Sequence, residues 1–169
     1  MNDNRFPVAL LSMSAAGLVG LAIHEGYSDR AIIPVAGDPP TYGFGSTTKE
    51  DGSPVTLKDR TTPPKALRLA VKDIAGKEAV LRNCIKVPLS QAEWDLYVNH
   101  AYNVGPYRFC NSGIVTRLNA LDYSGACQQI LLWKFVRGTD CSLPENRSVC
   151  GGLWDRRLEQ YKKCMESQQ

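Results

Sequence analysis

Cysteine is absent from this chain before position 84, and the six that follow (Cys84, Cys110, Cys127, Cys141, Cys150 and Cys164) form no Cys-x-x-Cys pair. That spacing suits neither a zinc centre nor a thiol redox motif, and no metal or cofactor is expected. Repeats and low-complexity tracts are missing too. Charged residues make up only 22% of the sequence, and the net charge is a mild +3. So weak and dispersed an excess argues against a nucleic-acid partner, though it suits adhesion to an anionic polymer or surface. The small basic pairs Arg156-Arg157 and Lys162-Lys163 read as solvated positions on a helix. An apolar content of 43% places the chain in the globular class, far from disorder. Its 169 residues suffice for one domain with a core, with or without a terminal segment.

What the chain does have is an uncharged apolar run, Phe6 to Ile23, that ends directly on His24-Glu25-Gly26-Tyr27. As one helix the run would reach roughly 27 Å, just short of a bilayer core about 30 Å thick. Gly, Ala and Ser supply about half of it, so its membrane affinity is weak for a span. A cleaved signal peptide, a permanent anchor and an ordinary buried helix all compete. The reading adopted is an uncleaved signal anchor over residues 1–23 that enters the membrane and later leaves it, followed by a folded domain over 24–169. Export fits the even cysteine count, which reads as three disulfides formed in an oxidising compartment. Fifteen pairings are open. Cys141 with Cys150 is the most plausible local bridge, because Gly, Pro and Asn lie in or near the short loop between them.

Beyond Glu25 the signals change twice. Ile32–Val35, Thr41–Gly45 and the turn Asp51-Gly52-Ser53-Pro54 predict a small antiparallel β element. From Thr62-Pro63 a helix is expected to about Asn83. Ser90-Gln91-Ala92-Glu93 spells a capping box, with Leu89 and Trp94 placed as a hydrophobic staple. Trp94, Tyr97, Val98, Ala101 and Tyr102 then fall on one helical face, and Gly105 ends it. Further helices are expected near Ser112–Ala120, Asp122–Phe135 and Leu153–Glu166. The class is α+β, with a small sheet lobe, a larger helical lobe and a cleft between them for an extended substrate.

Glu25, at the end of an apolar helix, falls where core meets solvent, the setting in which a carboxyl serves as a general acid. Asp38, in a Gly-Asp-Pro-Pro turn, is expected to be solvated and ionised, as a base or electrostatic partner must be. The Thr41 hydroxyl can hold a water. Two carboxylates in contrasting settings plus a water-positioning hydroxyl suit glycosidic hydrolysis. Each residue also has a plainer reading: Glu25 as a surface residue and Asp38 as a turn former. Among the others, His100 reads as a partly exposed helix position and His24 as a helix-end residue. Trp133 and Trp154 read as core aromatics rather than sugar platforms. Arg156 or Arg157 reads as a surface ion pair, with pairing to Glu25 as the sharper option.

Glu25-Gly26-Tyr27 followed by Gly37-x-x-x-Thr41-x-Gly43-x-Gly45 resembles the Glu…Asp…Thr signature of the phage-type lysozymes, glycoside hydrolase family 24. Ala101-Tyr102-Asn103-Val104-Gly105, Trp133 and Gly152–Glu159 match the pattern of that family. The Ala/Gly-rich N-terminus is similar to that of its signal-arrest-release endolysins. The resemblance implies a lysozyme-like fold, a monomer acting on peptidoglycan glycan strands, and host lysis after export to the periplasm. It implies tethering to the inner membrane before release, Glu25, Asp38 and Thr41 as catalytic residues, and Tyr42 and Asn103 as substrate contacts. One departure stands out. The family aspartate usually lies nine residues after the glutamate, where this chain has Pro34; Asp38 is the substitute and Asp29 the other acid nearby. That departure keeps open a lytic transglycosylase using one glutamate, and a membrane-anchored peptidoglycan-binding module is the non-enzymatic rival.

Overall fold

A computed structural model describes residues 4–34 and 37–169. The chain divides into two compact units. One is Met13–Glu78. The other combines the segment ending at Ser12 with Ala79–Gln169.

In the Met13–Glu78 unit, helix α1 spans Ala15–Glu25 and strands β1 (Ser28–Ile32) and β2 (Thr41–Gly43) follow. The strands pair antiparallel, Ser28 opposite Gly43 and Ile32 opposite Thr41, with an irregularity between these pairs. Residues 59–61 run beside β1, with Ala31 donating to the Asp59 carbonyl (3.1 Å) and Thr61 to that of Asp29 (2.9 Å). The predicted turn is present, since Lys49 donates to the Ser53 carbonyl at 2.8 Å and Asp51 Oδ1 accepts the Ser53 N–H at 2.9 Å. Ala31, Tyr42, Val55 and Leu69 form the small core under this sheet. The expected strand at Ile32–Val35 is displaced toward the N-terminus, because Pro34 cannot donate to a ladder; Val35 lies outside the described residues.

The apolar run is not one continuous helix. Val8–Leu10 forms a 3-10 turn after Pro7, the chain extends at Leu11, and α1 starts afresh at Ala15. Ser14 causes the restart by capping α1, its side chain accepting the Gly17 N–H at 3.0 Å. Glu78 Oε1 takes the Met13 N–H just before it. With α1 only 11 residues long, no helix among the described residues is long and apolar enough to cross a membrane.

Helix α2 (Pro63–Cys84) begins at the predicted proline and runs from one unit into the other. In the second unit follow α3 (Gln91–Val104), α4 (Pro106–Cys110), α5 (Gly113–Asn119), α6 (Tyr123–Ile130), the hairpin β3–β4 (Phe135–Val136, Thr139–Asp140) and α7 (Arg147–Glu166). The capping box forms as predicted, Ser90 Oγ accepting from Glu93 N and Glu93 Oε2 from Ser90 N. Gly105, at φ +93°, terminates α3. Helix α6 stops at Ile130, short of the expected Phe135, where the chain turns toward the hairpin. Helix α7 begins earlier than expected and is broken at Cys150, whose φ and ψ are not helical. The disulfides are Cys84–Cys110, Cys127–Cys164 and Cys141–Cys150.

α3 is buried on nearly every side: Glu93, Trp94, Tyr97, Val98, His100 and Ala101 are each 0% exposed. This overturns the partly exposed reading of His100. An amphipathic stripe marks one buried face, but a helix enclosed by its own unit buries the others as well. The segment before Ser12 belongs to this unit through named contacts. Phe6 and Leu89 exchange both backbone hydrogen bonds (2.8 and 2.9 Å), Arg82 donates to the carbonyls of Val8 and Leu11, and Gln91 to that of Ser12.

Candidate active site

Glu25 closes α1 and is half-buried. Gly26 follows at φ +69°, a backbone conformation glycine adopts without strain, and turns the chain into β1. After β2, Tyr42 and Ser46 bridge each other at 3.2 and 3.1 Å, enclosing a tight turn of Gly43, Phe44 and Gly45. That turn comes close to the carboxylate: a Cβ placed on Gly45 would stand 3.6 Å from Glu25 Oε2. Gly43 is tighter still, since a Cβ there would meet that of Ala66 at 2.7 Å. The glycines of the Gly43-x-Gly45 motif thus let backbone approach both α2 and the acid. Phe44 packs on Tyr27 with ring centroids 5.6 Å apart.

Beneath the turn lies a polar set that the sequence reading missed. Ser46, only 2% exposed, donates from Oγ to Asp73 Oδ2 at 2.7 Å. Lys77 lies one helical turn beyond Asp73. Burial lowers its pKa, while the negative charges of Asp73 and Glu25 oppose that shift. A cation within electrostatic reach of Glu25 is therefore built into α2. The i, i+4 spacing of Asp73 and Lys77 was visible in the sequence, but nothing there said which face of α2 would meet Glu25.

Asp38 is exposed, in the turn that follows Gly37 (φ +92°) and leads through Pro39-Pro40 into β2. Thr41 opens β2 opposite Ile32 and is half-buried. Glu25, Asp38 and Thr41 all belong to the Met13–Glu78 unit. Tyr42 is a core residue, 5% exposed, whose hydroxyl pKa is raised first by burial and then by Asp59. It also lines a pocket of about 310 Å³ with Lys49, Asp59, Arg60 and Lys65.

Asn103 stands exposed near the end of α3, in the other unit, and its Oδ1 accepts from Arg157 Nη2 at 2.5 Å. Arg157 itself is 2% exposed, which overturns its reading as a surface cation. Trp133 and Trp154 are half-buried; Trp133 meets His100 edge-on at 5.4 Å and lies under the Arg108 guanidinium at 5.4 Å.

The phage lysozyme family model matches residues 22–160, from before Glu25 to within α7. The chain is 31% identical over 144 residues to the endolysin of Salmonella phage P22, covering 82% of this chain and 94% of that protein. It is 31% identical over 152 residues to the SAR-endolysin of Pseudomonas phage phiKMV, covering 90% and 88%. Among solved structures, the endolysin from Escherichia coli O157:H7 phage FAHEc1 superposes with a TM-score of 0.77 at 27% identity, over 94% of this chain and 96% of that one. With its small antiparallel sheet, its helical remainder and an acid closing the first helix, the chain belongs to the phage lysozyme family, the lysozyme-type glycoside hydrolases that serve as endolysins.

Proposed function

We propose that this endolysin hydrolyses the β-1,4 bond between N-acetylmuramic acid and N-acetylglucosamine in peptidoglycan, acting as a monomer in the host periplasm. Glu25 protonates the leaving glycosidic oxygen. Asp38 and Thr41 hold a water on the opposite face of the sugar; its oxygen bonds to the anomeric carbon, its proton passes to Asp38, and the product is inverted. The supporting observation is the Glu25 carboxylate at the helix end, 3.6 Å from where a Gly45 side chain would begin, with an exposed acid and a strand-borne hydroxyl in the same unit. The test is mass spectrometry of muropeptides released from Gram-negative sacculi, with Glu25→Gln as control. Hydrated, reducing-end muramic products that vanish in the variant are expected. Anhydro-muramic products would make the protein a transglycosylase, with Asp38 a turn former.

The same reading extends to control. Residues 1–23 first lodge in the inner membrane, keeping Glu25 at its surface and the enzyme inactive; collapse of the membrane potential releases them, and α1 then forms with Glu25 at its end. Small residues make either environment accessible, and a two-state element biased by insertion is sufficient. Support comes from the restart at Ser14 and from the polar contacts that Val8, Leu11 and Ser12 make through their carbonyls, none of which a lipid environment supplies. The name of the phiKMV relative, a SAR-endolysin, points the same way. Lysis that proceeds on schedule with a permanently anchored segment would defeat this part of the proposal.

A further inference from the structure

The proposed reaction makes no use of the pocket of about 310 Å³ in the Met13–Glu78 unit. Leu69 and Tyr42, 2% and 5% exposed, are its buried members, and charges of both signs surround them. The acids are largely occupied. Asp51 Oδ1 accepts the N–H and the hydroxyl of Ser53 (2.9 and 2.6 Å), and Glu50 pairs with Arg68 at 3.3 Å. Asp59 meets the Thr56 N–H and hydroxyl (2.8 and 2.9 Å) and Lys49 (3.8 Å) through Oδ2, which leaves Oδ1 without a partner among the described residues. The other two cations are not occupied. Arg60 and Lys65 are exposed, and neither enters an ion pair or side-chain hydrogen bond among the described residues.

The Tyr42 hydroxyl is unpartnered in the same sense, although its side chain is nearly enclosed. Burial keeps it protonated and so a donor. A polar group so enclosed ordinarily has a partner, and here the space beside it is the pocket. The unmet groups ask for a ligand of both signs: Arg60, Lys65 and Tyr42 offer donors to a carboxylate, and Asp59 Oδ1 an acceptor to an ammonium. A neutral sugar leaves the cations unmatched. A phosphate dianion is opposed by Glu50, Asp51 and Asp59 in the same pocket.

We propose that this pocket binds the stem peptide of peptidoglycan, taking the free carboxylate and ammonium that a diamino-dicarboxylic acid residue carries at the end of its side chain. This rests on the reading of the protein as a peptidoglycan hydrolase. The volume is at the lower end for small-ligand sites and suits one such side chain. Tyr42 stands at the base of the turn that brings Gly45 toward Glu25, so pocket and acid share one short stretch of chain. Lys65 and Lys77, the cation within electrostatic reach of Glu25, lie about 18 Å apart along α2. An extended peptide covers that distance in about five residues, and in fewer where the last carries a long side chain.

The experiment is calorimetric titration of the full chain with two free stem tetrapeptides, one containing diaminopimelate and one containing lysine in its place. The lysine peptide keeps the side-chain ammonium but lacks the carboxylate, and it should bind about tenfold more weakly. Arg60→Gln with Lys65→Gln should abolish that preference at unchanged Tm, because both side chains are exposed. Lys65→Gln alone reads the same contact should the double variant unfold. Lys162→Gln with Lys163→Gln removes equal charge from α7 and should keep the preference. Steady-state hydrolysis adds a second readout: the Arg60 and Lys65 double variant should raise KM about tenfold on strands with stems and leave it unchanged on strands stripped by an amidase, with kcat constant on both. Equal binding of the two peptides overturns the inference. So does a preference lost equally in the α7 variant, or inorganic phosphate that competes as well as the peptide. Wild-type protein that cleaves neither kind of strand overturns the hydrolase reading, an outcome distinct from an active enzyme that ignores the stem.

Discussion

Arg5 and Glu93 form a two-point ion pair, Nε to Oε2 at 2.9 Å and Nη2 to Oε1 at 2.7 Å, although 88 residues separate them. Burial alone would favour a neutral Glu93, but the bonds from Arg5, the Ser90 backbone and Gln168 outweigh it and hold the carboxyl below its ordinary range. The guanidinium also covers the Tyr123 ring, 3.5 Å from its centroid.

Removing the cation strands a fully buried carboxylate. Arg5→Ala is expected to destabilise the protein by about 3 kcal/mol, the scale for breaking one side of a buried pair. Chemical denaturation checks this, and a loss below about 0.5 kcal/mol would mean that the pair behaves like a surface one.

His100 predicts an acid-side weakness. Burial, then the charge of Arg157, push its pKa from 6.5 down to about 3 in the folded protein. The unfolded chain therefore binds the extra proton across that window. Stability should be complete above pH 6.5 and decline as the pH falls toward 3, by a few kcal/mol in all. Glu93 and Asp140, whose pKa values are lowered, join in once the pH falls into the ordinary carboxylate range, where the unfolded chain begins to bind their protons. Denaturation free energies between pH 6.5 and 4.5 should consequently flatten in His100→Gln, and an unchanged slope would assign the dependence elsewhere.

The disulfides should rank by the loop each closes. Cys127–Cys164 spans 37 residues and is wholly buried, whereas Cys141–Cys150 spans 9. Loop-closure entropy gives about 4 kcal/mol for the first and about 2.5 kcal/mol for the second. Paired Cys→Ser variants compared by thermal unfolding should reproduce that order.

The proposed membrane switch can be tested in the apolar run itself. A Cβ at Gly20 would have nothing within 4 Å, so a larger side chain fits the folded state. Gly17→Leu with Gly20→Leu makes the run a better membrane span. Membrane fractionation and lysis timing should show retention in the bilayer and abolished lysis; normal timing would count against the switch.

Much of this fold was legible because its signals are local. Ser90 and Glu93 cap each other within four residues, Pro63 opens α2, and Gly105 ends α3, each by backbone chemistry that depends on neighbours alone. The burial of His100 and Arg157 was not legible, since it depends on α7 meeting α3 across more than fifty residues. The same holds for the site. Glu25 stands out by its place after an apolar run, whereas Ser46, Asp73 and Lys77 become part of its surroundings only once α2 packs beneath the turn. The break in the apolar run was not legible for a further reason: composition reports affinity for oil, and a serine cap at Ser14 decides where a helix starts.

Arg5 also donates to Gln168 at 2.7 Å, 163 positions away. The unit that combines the segment around Arg5 with residues 79–169 is closed there by a side-chain contact between its two pieces. Neither segment alone supplies both partners of that contact. An N-terminal segment detained elsewhere would leave that seam open. The guanidinium that neutralises Glu93 thus also ties together two stretches of chain that sequence distance keeps far apart.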